Sequence, residues 1–144
     1  TLVAFQPLKV LYRGVEDISR ISPSRDEYIK AVKRLIAAKK KGNPHIRNSL
    51  LELRHILNWP EFPAIRCWAG RIFCIIDTNG DVYPCDRPSY DAALPNCLEM
   101  GFQKAFSSLP PVRCGGCGFC GTLELNYLMN LKLGIVNTVR KIIQ

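Results

Sequence analysis

The chain has 144 residues, 47% of them apolar, and a mean hydropathy of −0.01. That balance suits one domain with a packed core, or the tail of a larger one. It holds nothing like the ~18 consecutive apolar residues of a membrane-crossing helix. The formal charge of +8 is uneven, with 12 Lys and Arg against 5 acids in residues 1–60 and 8 against 7 thereafter.

The first residues, "TLVAFQPLKV", carry neither an initiator methionine nor the tripartite pattern of a secretory signal. A chain that begins inside an apolar run reads as a fragment of something longer. "TLVAFQPL" is expected to be a buried strand ending at Pro7. After a polar loop, Ser24 and Glu27 have the spacing of a capping box for the helix "DEYIKAVKRLIAAKKKG". Ile29, Val32 and Ile36 share its inner face, with Tyr28 and Leu35 alongside, and Gly42 stops it. Lys39 to Lys41 fall in its last turn, where cations complement the helix dipole. With no aromatic residues interleaved, a nucleic-acid patch is disfavoured.

"NPHIR" reads as a short extended piece, after which Ser49 and Glu52 cap a second helix, "SLLELRHILNW", that ends at Pro60. Leu50, Leu53, Ile56 and Leu57 face inward. Strand, helix, short strand, helix is the rhythm of an α/β layer. Sixty residues cannot close such a sheet, so residues 1–60 are expected to be the last βα units of an array.

The two prolines of "PEFPAI", residues 60–65, mark the domain boundary, and residues 61–144 form a second region. There "RIFCIID" and "DVYPC" are joined by "TNG", the strongest hairpin signal in the chain. A loop rich in Pro, Ser and Asp leads to a short helix, "LEMGFQKAFSSL", and then to "VRCGGCGFCG". "TLELNYLMNLKLGIVNTVRKII" is expected to close the chain as an amphipathic helix, with a break at Gly134.

Seven cysteines, at 67, 74, 85, 97, 114, 117 and 120, are an odd number for a disulfide framework. Without a secretory signal they point to metal in a reducing, cytoplasmic compartment. Cys67 and Cys85 are 17 residues apart with Asn79-Gly80 between them, so a hairpin would bring their ends together. Cys114 and Cys117 form a C-x2-C pair. Two plus two gives a four-thiolate site for zinc or an iron–sulfur cluster. Zinc ribbons use two C-x2-C knuckles, and only one plus a split pair is present here. Glycines at 115, 116 and 118 suit a backbone that turns around a bulky inorganic group.

The pattern Cys67, twelve residues, Gly80, four residues, Cys85 resembles the opening of the SPASM/twitch domains, the auxiliary-cluster domains at the C-terminus of radical S-adenosylmethionine enzymes. "NCLEMGFQKAF" and "CGGCGFCGTLELNYL" are similar to that group's continuation, and "FQPLKV" to "RNSLLELRHI" to the barrel units before it. The resemblance extends over essentially the whole chain. It implies an α/β fold: terminal βα units of a partial (β/α) barrel, then a small irregular hairpin-plus-helix domain.

It also implies one auxiliary 4Fe–4S cluster, with Cys67, Cys85, Cys114 and Cys117 as ligands and Cys120 as the alternative for the last place. With only Cys120 left over once Cys74 and Cys97 are read as packing residues, the shorter single-cluster twitch form fits better than the two-cluster form. The C-x3-C-x2-C motif of the cluster that cleaves S-adenosylmethionine is absent from these residues. That second 4Fe–4S cluster, and S-adenosylmethionine, would belong to an N-terminal barrel of the parent enzyme, and this segment is not expected to be active alone. Four thiolates would leave no iron open, favouring electron transfer or structural support. Three would leave an iron for substrate, a peptide or other natural-product precursor.

Other residues have plainer readings. Cys74 and Cys97 are expected to pack as small apolar side chains, and His45 and His55 to have structural or surface roles rather than to bind metal. Asp77 and Asp81 form the turn. Arg66, Arg71 and Arg113 lie near candidate ligands in sequence and would offset an anionic cluster, if they are not simply solvated. Gln6 ends the first strand, where barrel loops point at ligands, and is a candidate contact for S-adenosylmethionine. Glu124 and Asn126, in "ELN", follow the cysteine loop without an assigned role. The rival reading is a zinc-stabilised binding module without redox chemistry.

Overall fold

The computed structural model describes residues 1–7, 21–85, 93–112 and 116–130. These residues fall into two compact units, one of residues 1–7, 21–66 and 116–130 and one of residues 67–85 and 93–112. Among them are helices α1 (Arg25–Lys40), α2 (Leu50–Ile56), α3 (Cys97–Met100), α4 (Phe102–Ser107) and α5 (Cys120–Met129), and strands β1 (Ile75–Ile76) and β2 (Val82–Tyr83). No helix among the described residues is long and apolar enough to cross a membrane.

The first unit is built on α1, α2 and α5. The capping box at α1 forms: Ser24 Oγ accepts from the Glu27 amide, and the Glu27 carboxylate accepts from Ser24 N at 3.0 Å. Gly42 takes φ 84° just past the helix. One part of the lysine run has a specific partner, since Lys39 Nζ donates to the carbonyl of Ile46. That carbonyl belongs to the short extended piece, where Val3 and Ile46 make a parallel bridge across the α1 connection. Asn48 prolongs the pairing with its side chain, accepting from Phe5 N at 2.7 Å and donating to Phe5 O at 2.8 Å. The first strand is less buried than its sequence predicts. Leu2 and Val3 are about half exposed, because the segment pairs through a single bridge at Val3 rather than as a strand inside a sheet.

The core of this unit is Val32, Ile46, Leu53, Ile56, Leu123 and Tyr127. Tyr28 joins α1 to α2 by donating its hydroxyl to Ile56 O at 2.7 Å, and its ring lies 5.0 Å from that of Trp59. Burial pushes the Tyr28 phenol up to about 12, so the group stays a donor at any ordinary pH. The last helix returns to this core through Leu123 and Tyr127; residues 131–144, including the expected break at Gly134, lie outside the described residues.

The second unit is a hairpin edged by an extended segment. Ile75 faces Tyr83 and Ile76 faces Val82 in antiparallel register. The turn closes when Gly80 N donates to Asp77 O and Asp77 Oδ1 accepts from Asn79 N and Asp81 N. On the far side of β2, Asp81 bridges Asn96 antiparallel, and Asn96 Nδ2 donates to Asn79 O and Asp81 Oδ1 at 2.9 Å each. Asn96 Oδ1 also caps α3, so one side chain pins the turn and starts a helix. The single helix predicted from "LEMGFQKAFSSL" is split, because Gly101 takes φ 81° between α3 and α4.

Gly80 takes φ 88°, and a Cβ there would lie 2.6 Å from Leu98 Cγ and 2.9 Å from Asn96 Oδ1. Gly80→Ala is therefore expected to destabilise the hairpin by about 1–3 kcal/mol, strain and contact acting together. A urea unfolding midpoint unchanged from the parent would contradict this.

Candidate metal centre

The candidate sulfurs are distributed over both units. Cys67 and Cys85 belong to the second unit, at the two ends of the hairpin segment, and Cys117 and Cys120 to the first. Cys114, Arg113 and Gly115 lie outside the described residues. Among the described residues, no three His, Cys, Asp or Glu side chains gather into one metal-ligating group. None of the six described cysteines is bridged in a disulfide, and each is partly exposed. Reduced, accessible sulfur is the donor chemistry that zinc or an iron–sulfur cluster requires, so the residue types fit such a group.

Within the second unit the chain before β1 folds back on itself. Gly70 N donates to Phe73 O, Arg71 N to Trp68 O, and Ala69 bridges Phe73. Gly70 takes φ 74° and lies so close to Pro84 that a Cβ would come within 2.9 Å of the proline Cβ. The residue three after Cys67 thus packs on the residue just before Cys85. Cys74 sits beside β1, where burial and then the neighbouring Cys97 push its thiol up. Cys97 opens α3 as its first residue.

In the first unit Cys117 and Cys120 flank Phe119, which precedes α5 without offering the helix a side-chain cap. The open amide of Cys120 is met by Gln6, whose Oε1 accepts at 3.3 Å. Gln6, read from sequence as a cofactor contact, therefore sits beside the Cys117–Cys120 turn. The Cys120 thiol is pushed up by burial and then by Glu52.

The backbone of Cys117 is held by a residue that its sequence surroundings did not single out. His55, 5% exposed on α2, contacts Cys117 O through Nε2 at 2.8 Å and the Tyr127 hydroxyl through Nδ1 at 2.6 Å. A carbonyl only accepts, so Nε2 carries the hydrogen, and Nδ1 accepts from Tyr127. Burial drives the His55 pKa down, partly opposed by the Cys117 carbonyl, which keeps the ring neutral in this role. Tyr127 is pushed up to about 12, first by burial and then by Glu52, Glu124 and Cys117. The chain Tyr127–His55–Cys117 thus joins α5 and α2 to the cysteine loop. His45, by contrast, is exposed and meets Thr1 O at 3.0 Å.

The glycines of the loop have a local cause. A Cβ on Gly116 would lie 2.6 Å from Phe62 O, and one on Gly118 would lie 2.6 Å from Phe62 Cζ. The Phe62 ring in turn stacks on His55, with centroids 5.8 Å apart and planes at 12°. Room for Phe62 explains both positions without an inorganic group.

Two acids complete the surroundings. Glu52 is 1% exposed, and Glu124 reaches from α5 to the first turn of α2 beside it. Burial, then Glu124, push Glu52 up to about 9, against weaker opposing effects of Asn48 and Arg47. Glu52 N takes the expected cap from Ser49 Oγ at 3.0 Å, but Ser49 N donates to Glu124 Oε1 at 2.8 Å. Glu124 thereby fills the place that Glu52 would hold in a local capping box. Asn126 is fully buried, and Asn130 donates to its carbonyl and to Arg66 O.

No family model matches the chain. No solved structure gives a significant match either. The chain is 39% identical over 64 residues to the mycofactocin maturase MftC of Mycobacterium ulcerans (strain Agy99). It is 44% identical over 64 residues to the mycofactocin maturase MftC of two Mycobacterium tuberculosis strains, CDC 1551 / Oshkosh and ATCC 25618 / H37Rv. These alignments take in 38% of this chain and 16–17% of the maturases, so the chain covers less than a fifth of the length of the relatives it matches.

Proposed function

We propose that this chain is the C-terminal part of a radical S-adenosylmethionine enzyme and binds one auxiliary 4Fe–4S cluster. The observation that carries the reading is the element Cys67-x12-Gly80-x4-Cys85 followed by Cys114-x2-Cys117, in a chain with partial similarity to mycofactocin maturases. Cys67, Cys85, Cys114 and Cys117 would hold the cluster, Cys120 being the alternative for the last position. When bound, the cluster supplies an electron-transfer centre or a brace for the domain during modification of a peptide or other natural-product precursor.

The chain's own part is to hold sulfur in place. His55 restrains the Cys117 carbonyl, Gln6 meets the Cys120 amide, and Asn96 ties the hairpin turn ahead of Cys85. The reducing interior of a cell, the cytoplasm, suits this content of unbridged cysteines. S-adenosylmethionine and the cluster that cleaves it would reside in the N-terminal barrel of the parent, with which this chain would be continuous.

Anaerobic reconstitution with iron and sulfide tests the reading. The expected product is a brown protein holding about four irons and about four sulfides per chain, in keeping with a cubane on cysteine ligands. A colourless product that takes up one zinc per chain and no iron would replace it with the zinc-stabilised module.

A further inference from the structure

His55 on α2, Tyr127 on α5, Phe62 after α2 and Cys117 before α5 meet inside the first unit. The buried His55 ring has little freedom left there. Phe62 stacks on it with planes at 12°, and Tyr127 meets it edge-on at 80°, each with centroids 5.8 Å apart. Nε2 lies 2.8 Å from Cys117 O, and Nδ1 lies 2.6 Å from the Tyr127 hydroxyl. A carbonyl only accepts, so Nε2 must carry hydrogen, and a hydroxyl donating to Nδ1 selects that same tautomer. Both ring nitrogens are engaged, so His55 is not itself a metal ligand.

The carbonyl held in this way belongs to the peptide unit that joins Cys117 to Gly118. Phe62 closes on the same unit, since a Cβ on Gly118 would lie 2.6 Å from Phe62 Cζ. On the other side of Cys117, a Cβ on Gly116 would lie 2.6 Å from Phe62 O. Cys117 is thus clamped from both neighbours, which leaves its sulfur little freedom besides the rotamer choice at χ1.

We infer that His55 is a positioning residue for the Cys117 sulfur, and that Tyr127 sets the tautomer with which His55 holds the loop. The inference rests on the cluster reading proposed above, in which Cys117 is one of the ligands. Groups that orient a ligand without touching the metal account for about 10–100-fold in metal affinity. Iron retention should therefore register the His55 donor even though the ring never meets iron.

The test reconstitutes the full chain anaerobically with iron and sulfide, then titrates in a competing chelator well below the unfolding midpoint of every variant. His55→Leu removes the donor, and its iron should be lost at about 10–100-fold less chelator than the parent's. His55→Gln should recover most of that difference, because its amide N–H extends about as far from the backbone as Nε2 and can donate to the Cys117 carbonyl. A ring that only filled the core would show no such recovery, since glutamine is the poorer apolar filler. In the iron-free parent, nitrogen NMR of the His55 ring should find hydrogen on Nε2. Hydrogen on Nδ1 alone, equal retention in parent and His55→Leu, or equal retention in His55→Leu and His55→Gln would overturn the inference and leave the cluster reading intact. A parent that takes up no iron would instead remove the cluster reading, and this role with it. Should His55→Leu fail to fold, Tyr127→Phe carries the comparison. It keeps the aromatic ring and deletes the hydroxyl, so iron should still leave at less chelator than in the parent, and unchanged retention would equally overturn the inference.

Discussion

Cys85→Ala is expected to remove at least about tenfold of the iron that the reconstituted protein retains, because disturbing even the groups that merely orient a ligand costs about 10–100-fold in metal affinity. Cys85 ends the segment that leaves β2, behind the buried Pro84 against which Gly70 packs. Its removal deletes a sulfur from the proposed set but little of the core, since the side chain is only partly buried. Iron-free Cys85→Ala should therefore unfold within about 1 kcal/mol of the parent.

The informative controls are Cys74→Ala and Cys97→Ala, which should keep their iron. Cys74 sits beside β1 next to Cys97, and both lie outside the proposed ligand set. Cys114→Ala and Cys120→Ala then decide between the two candidates for the last place, because only one of them should bleach the protein. Iron content and visible spectrum read all five variants. Full iron in Cys85→Ala would remove the hairpin from the site, and with it the Cys67-x12-Gly80-x4-Cys85 argument.

Gly116→Ala and Gly118→Ala are expected to be costly for a reason unrelated to iron. At position 118 the added methyl would meet the Phe62 ring edge at 2.6 Å, and overpacking of this kind costs about 1–3 kcal/mol. That ring cannot slide freely, because it stacks on His55, whose Nε2 holds the Cys117 carbonyl. Pushing on it should loosen the cysteine loop as well as the core. At position 116 the obstacle is the Phe62 carbonyl itself, 2.6 Å away, so the backbone must shift and the loss should reach about 3 kcal/mol or more.

A second substitution separates the cases. Phe62→Leu should recover part of the loss of Gly118→Ala, with a coupling of about 0.5–3 kcal/mol in a double-mutant cycle. It should recover little in Gly116→Ala, where the obstacles are the Phe62 carbonyl and Cβ, which leucine retains. Denaturant unfolding of the iron-free chain measures all of these. Additive effects at position 118 would mean that Phe62 is not what the glycine accommodates.

Much of the local architecture was legible in the residues themselves. Ser24 with Glu27 and Ser49 before Leu50 mark two helix starts because a side-chain oxygen at that spacing reaches orphan amides of the first turn. Gly80 marks the hairpin and Gly42 the end of α1 because each takes a positive φ that other residues resist. The inward positions of α1 and α2 follow from helical periodicity, as Val32, Leu53 and Ile56 show.

The relations between distant segments were not legible, since no spacing rule links residues that meet only after α5 packs on α2. Glu52 has the sequence position of a local capping partner, yet Ser49 N donates instead to Glu124, 75 positions away. His55 looks like an isolated histidine until Tyr127 and the Cys117 carbonyl appear at its two nitrogens. Gly116 and Gly118 suggest an inorganic core in the sequence, whereas Phe62 fills the space beside them. Short-range hydrogen bonding and backbone sterics are written in neighbouring residues, and so the sequence by itself determined caps, turns and helix faces. Burial decided the rest: a polar group taken from water must find a partner wherever the fold supplies one, and only the tertiary structure says where that is.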